Sequence, residues 1–124
     1  LLRVLDELEE LNKTMPVIVE GKKDVAALKR VGIDANVVSI GKGHSIFTFC
    51  EKLSRENKSA VILTDWDRKG GHLARTIREA LEANGVRALV NIRTRLVLLC
   101  KKEIKDIESL PTFVSRLRSE TGSM

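Results

Sequence analysis

A chain of 124 residues has room for one domain with a single sizeable core and too little for a second independent one. Hydrophobic residues at 43% and charged residues at 31%, with no compositional break, exclude a disordered arm or a long flexible linker. The 22 basic and 17 acidic residues leave a net charge of +5, which suits a polyanionic partner without requiring one.

In chain order, residues 1 to 13 read as an amphipathic leading helix. "MPVIVEG" is a short β-branched apolar run, opened by Pro16 and closed by Gly21, and predicts a buried strand. "KKDVAALKRVG" sets Val25, Leu28 and Val31 at helical spacing, with Gly32 as a stop. "NVVSIGKG" repeats the strand signal, and "HSIFTFCEKLSREN" repeats the helix with Ile46, Phe49, Cys50 and Leu53 on one face. "SAVILT" is the strongest strand, and "RKGGHLARTIREALEANG" the strongest helix, striped by Leu73, Ile77 and Leu81 and ended by Gly85. "VRALVNI" predicts a fourth strand ending near Asn91. Beyond it, "TRLVLLC" fits helix or strand, and "DIESLPTFVSRL" a helix entered or kinked at Pro111. Strand and helix alternating three times predict an open α/β fold, a mainly parallel sheet covered on both faces.

Cys50 and Cys100 lie far apart among apolar neighbours, as buried thiols of a reducing compartment rather than a metal cluster or disulfide framework. No apolar run reaches the roughly 18 residues of a membrane span, and no signal-peptide pattern opens the chain. The expectation is a cytoplasmic protein with no membrane partner.

Ligands of open parallel sheets bind beyond the carboxyl ends of the strands, where chain order reverses. The residues there are Glu20-Gly21 after the first strand, Gly41-Lys42-Gly43-His44 after the second and Asp65-Trp66-Asp67 after the third. Side chains alternate along extended chain, so Asp65 and Asp67 can face one way while Trp66 faces the other. If the strands run in the order 2-1-3-4, Glu20 lies beside the two aspartates. Three carboxylates would then form an oxygen-rich site suited to Mg²⁺, which takes few protein carboxylates, several waters and a phosphate. Gly21, Gly70 and Gly71 let backbone approach a substrate at two helix starts, and Lys22, Lys23, Lys42, His44, Arg68 and Lys69 surround that rim. An acidic centre with a basic edge is what metal-assisted phosphodiester chemistry needs.

Each element also has a plainer explanation. Asp-x-Asp at a strand end commonly makes a turn and caps a helix. His44 reads as a helix-start residue, His72 as a solvated position or a substrate contact, and Trp66 as packing rather than a stacking platform. Aromatic residues are 3% of the chain, which argues against an aromatic-rich RNA-binding sheet. "GKGHS" lacks the spacing of a Walker A loop. Aspartyl-phosphate phosphatases share Asp-x-Asp, but here Arg68-Lys69 follow it and the pair is central in the chain.

"PVIVEGKKDVAALKRVGI" together with "AVILTDWDRKGGHLARTIREAL" resembles the Toprim domain of topoisomerases, bacterial primases, some nucleases and a recombination-repair protein. The resemblance spans about residues 15 to 92, between the leading helix and a C-terminal extension over 93–124, and looks closest to small stand-alone archaeal Toprim proteins and a ribosomal-RNA-maturing Toprim ribonuclease. It implies a Rossmann-like fold, Glu20 as general acid or base, and Asp65 and Asp67 as ligands of Mg²⁺, with Mn²⁺ as a substitute. Gly21, Gly70 and Arg68 match family positions, whereas Lys69 and Gly71 depart from acidic positions of the topoisomerase version. These 124 residues contain no Tyr, so they cannot alone form the covalent tyrosyl link of topoisomerases. The implied activity is that of a nuclease or related phosphodiester-transfer enzyme on RNA or DNA. The alternatives are a non-catalytic nucleic-acid-binding or adaptor module with a protein partner, and a primase-like subunit of a larger complex.

Overall fold

The computed structural model describes residues 1–41, 43 and 45–120. Its elements are α1 (Leu2–Asn12), β1 (Val17–Val19), α2 (Lys22–Arg30), β2 (Val37–Ser39), α3 (Ile46–Ser54), β3 (Ser59–Ile62), α4 (Arg68–Ala83), β4 (Arg87–Leu89), α5 (Asn91–Cys100) and α6 (Leu110–Glu120). The four strands form one sheet in the order β2-β1-β3-β4, and every pairing is parallel.

Strand alternation builds two cores. Val17, Val19, Val61 and Leu63 enter a cluster with α1, α2, α5 and α6, while Ile18, Ala60 and Ile62 enter one with α3 and α4. β1 and the end of β3 are buried on both faces, which explains their continuous apolar runs. Asn12, buried at the end of α1, donates from Nδ2 to the Met15 and Asn36 carbonyls and accepts at Oδ1 from Asn36 N–H, joining α1 to the entry of β2.

The ends of the chain settle what the periodicity left open. The fourth strand stops at Leu89, and Asn91 opens α5 rather than closing the strand. "TRLVLLC" is helical: Ile92, Leu96 and Cys100 make its buried stripe, and the surplus apolar residues Leu98 and Leu99 are exposed. Pro111 lies in the first turn of α6, where a missing N–H costs no intrahelical bond. The segment beyond residue 92 packs into the same core as β1 and β3 through Leu96, Ile107, Leu110 and Val114.

Candidate functional site

The chain leaves β1 for β2 on one side and returns to β3 on the other, so order reverses between β1 and β3. Glu20 follows β1 and Asp65 follows β3, on the two sides of that crevice. The two are in contact: the Asp65 N–H donates to Glu20 Oε2 at 2.8 Å. The Glu20 carbonyl accepts from Gly41 N–H at 3.1 Å, which draws the end of β2 to the same edge.

Asp65 is partly buried. Its Oδ1 accepts from Ile107 N–H at 3.2 Å. Burial pushes its carboxyl up to about 6; the Ile107 N–H pulls the other way, and Glu20, Asp24 and Asp106 add repulsion. Asp67 is exposed and caps α4, its Oδ1 accepting from Gly70 N–H at 2.7 Å. Each of the three carboxylates thus gives one oxygen to a backbone N–H. The second oxygen of each takes no hydrogen bond among the described residues.

Around this centre the glycines have different tasks. Gly70 is buried against the turn, and a Cβ there would lie 1.7 Å from the Asp65 carbonyl oxygen, so no side chain fits. Gly71 is open by comparison, with only Arg93 Nη2 at 3.7 Å from an added Cβ. Gly21 is the N-cap of α2, and its N–H donates to Asp24 Oδ2 at 3.0 Å. Lys22 and Lys23 open α2, Arg68 and Lys69 open α4, and all four are exposed. Lys42 and His44 lie outside the described residues. Trp66 packs: it is 9% exposed, and its Nε1–H donates to the Ile104 carbonyl at 2.8 Å. His72 is exposed on α4.

Three participants were not read from the sequence. Arg93, from α5, donates from Nε to the Thr64 carbonyl at 3.1 Å and from Nη2 to the Asp65 carbonyl at 2.7 Å. Burial lowers its pKa, against the raising influence of Asp67, Glu20 and Asp65. Asp24, 5% exposed, is pushed up by burial and by Glu108, Glu20 and Asp106, with the Gly21 N–H opposing. Asp106 lies in the α5–α6 connection, the segment that holds Trp66 and Asp65 through Ile104, Lys105 and Ile107. The position of Asp24 three residues after Gly21 signals capping, and nothing local marks Arg93 or Asp106.

Among the described residues no three His, Cys, Asp or Glu side chains are gathered into a ready cage for an ion. Mg²⁺ does not need one, because it is commonly held by one or two carboxylates and its own waters. The hard oxygen donors suit it, and a bound cation would offset both the burial that raises Asp65 and the smaller repulsion from Glu20, Asp24 and Asp106.

A four-stranded parallel sheet with a glutamate closing one strand and Asp-x-Asp closing its neighbour is the architecture of a Toprim domain. The chain belongs to this family: the Toprim domain model matches residues 16–108, beyond the 15–92 stretch into the segment that clamps Trp66. Family membership carries a metal-dependent function related to nucleic acid, and Toprim domains generally bind Mg²⁺ through acidic residues. The chain is 46% identical over 120 residues to a UPF0292 protein of Methanosarcina acetivorans, covering 96% of this chain and 83% of that one. It is 35% identical over 117 residues to a UPF0292 protein of Methanocaldococcus jannaschii, covering 94% and 91%. A solved structure, a putative protein from Aquifex aeolicus, superposes with a TM-score of 0.75 at 26% identity, over 86% of this chain and 94% of that one. No helix among the described residues is long and apolar enough to cross a membrane.

Proposed function

We propose that this Toprim domain is a Mg²⁺-dependent nuclease, or a related phosphodiester-transfer enzyme, acting on RNA or DNA. The observation that carries the reading is the meeting of Glu20 and Asp65 at the chain-order reversal, with Asp67 two residues on and Asp65 held in a partly buried, electrostatically crowded place. Asp65 and Asp67 would hold the ion through the oxygens left free by Ile107 N–H and Gly70 N–H. Glu20 has Oε1 free to take up or release a proton while Oε2 stays fixed by the Asp65 N–H. When bound, Mg²⁺ supplies charge neutralisation at phosphate and an acidified water.

The cations support a polyanionic substrate. Lys22-Lys23 and Arg68-Lys69 occupy the first turns of α2 and α4, where positive charge opposes the helix dipole at a cost of about 0.3–1 kcal/mol each. Phosphates lying across those helix starts would turn the same charges into favourable contacts.

A second reading is a nucleic-acid-binding module without turnover. One observation favours it: all three carboxylates already accept from backbone N–H groups, an arrangement sufficient to shape the turn without an ion. Incubating the purified chain with single- and double-stranded RNA and DNA, with Mg²⁺, Mn²⁺ or EDTA, separates the two. Metal-dependent cleavage that disappears in Asp67→Asn supports the nuclease. Binding without cleavage on every substrate supports the module.

A further inference from the structure

Arg93 is a partly buried guanidinium with no carboxylate within ion-pairing distance among the described residues. Burying a cation without a direct counter-ion is costly, and two carbonyl contacts offset only part of that cost. Those contacts use Nε and Nη2, one edge of the planar fork. Three of the five N–H groups have no partner among the described residues, two of them forming the Nη1/Nη2 edge and the third the remaining Nη1–H. That edge has the geometry that matches two oxygens of a phosphate.

Arg93 keeps partial exposure, and Gly71 borders it. At Gly71, a Cβ would come 3.7 Å from Nη2, so a longer side chain at that position would occupy space beside the guanidinium. The carboxylates of Asp67, Glu20 and Asp65 are near enough to act on Arg93 electrostatically without pairing to it. The cation is therefore anchored to the backbone of the turn that carries the carboxylates, with one edge unused.

We propose that Arg93 is a substrate-binding residue of this site, taking the non-bridging oxygens of one backbone phosphate on its Nη1/Nη2 edge while its Nε/Nη2 edge fixes the Thr64–Asp65 turn. This deepens the nucleic-acid reading above and rests on it. The arrangement sets the distance between the bound phosphate and the carboxylates, because the same side chain holds both. The exposed lysines and arginines at the helix starts add charge without that registration.

The test is equilibrium binding of a short fluorescein-labelled single-stranded RNA, and its DNA counterpart, in EDTA, with each phosphodiester replaced in turn by a neutral methylphosphonate. In the wild-type chain one linkage weakens binding by about tenfold when neutralised, the worth of a charge-assisted pair. In Arg93→Gln, overall affinity is lower by a similar factor and that linkage no longer matters, which is the coupling of a double-mutant cycle. Arg93→Lys, which keeps charge without the fork, carries the same comparison if Arg93→Gln does not fold, and shows a diminished effect at the same linkage. A purely structural Arg93 would lower affinity while leaving the linkage pattern unchanged, and that pattern overturns the proposal, as does equal binding by wild type and Arg93→Gln. Mn²⁺ binding followed by electron paramagnetic resonance tests the metal reading separately: wild type and Arg93→Gln bind it, Asp67→Asn does not. A wild-type chain that takes no Mn²⁺ sinks the metal reading and leaves the linkage scan to judge Arg93.

Discussion

Gly70 and the carbonyl of Asp65 are packed so closely that the first turn of α4 rests directly on the acidic turn before it: a Cβ on Gly70 would stand 1.7 Å from the carbonyl oxygen and 2.5 Å from the carbonyl carbon. The pair is locked further by Thr64, whose Oγ1–H donates to the Gly70 carbonyl at 2.7 Å. Because the obstacle is backbone, it cannot be relieved by turning a side chain. Gly70→Ala is expected to lose about 2–4 kcal/mol of stability, measured by urea unfolding, and to weaken Mn²⁺ binding by displacing Asp65 from Glu20. Gly71→Ala, one residue along, meets only an ordinary contact and gains helix propensity, so it should fall within about 1 kcal/mol of wild type. Equal stabilities for the two variants would contradict this placement.

Asp67 has two duties that substitution can separate. Its Oδ1 caps α4 through Gly70 N–H, and asparagine can keep that acceptor while losing the charge. Asp67→Asn should therefore fold with near wild-type stability and lose metal binding and any metal-dependent cleavage. Asp67→Ala should lose the same function and, in addition, about 1 kcal/mol of stability. Thermal melts of both variants with and without Mg²⁺ decide the point, and an Asn variant that still melts higher in Mg²⁺ would remove Asp67 from the proposed metal site.

Much of this could be read from the linear chain because its signals are local. Residues 17–19 within "PVIVEG" and 60–63 within "SAVILT" are apolar at every position since both faces of β1 and of the end of β3 are covered, a continuity that fits a parallel sheet with helices on each side. Glu20 and Asp65 could be paired in advance because the 2-1-3-4 order makes their strands neighbours. "TRLVLLC" stayed ambiguous because Leu98 and Leu99 are apolar yet exposed, which blurs the helical stripe. Arg93 and Asp106 reach the site from α5 and the connection after it, so their roles depend on tertiary placement that no periodicity encodes. The plainer explanation of Trp66 held for a similar long-range reason: its N–H partner is Ile104, which belongs to the far segment.

Trp66 therefore offers a control on nucleic-acid binding. Its ring is in the core and its Nε1–H donates to a carbonyl, so Trp66→Phe loses that bond and some packing, at a cost of about 1–3 kcal/mol. Oligonucleotide affinity, measured well below the melting temperature by fluorescence anisotropy, should be unchanged. A selective loss of affinity in a fully folded Trp66→Phe variant would show that the ring stacks on bases.

Asp65 gives a pH dependence whose sign distinguishes it from an ordinary salt-bridged carboxylate. Its folded value is raised from 3.8 to about 6, so the native state holds a proton that the unfolded chain has already released across that interval. Stability linked to this group is thus complete below about pH 4, falls as pH rises through 6, and stays reduced above it. Asp65→Asn removes the charge and leaves the Ile107 N–H an acceptor. The variant should be more stable than wild type at pH 7.5 by roughly 1 kcal/mol after allowance for solvent screening of a partly exposed group. That advantage should vanish toward pH 4, and Mg²⁺ should stabilise wild type while leaving the variant unaffected. Urea titrations of the two chains at several pH values measure the difference directly. An Asn variant less stable than wild type at neutral pH, in the absence of metal, would mean that favourable contacts to the carboxylate outweigh its burial and the repulsion from Glu20, Asp24 and Asp106.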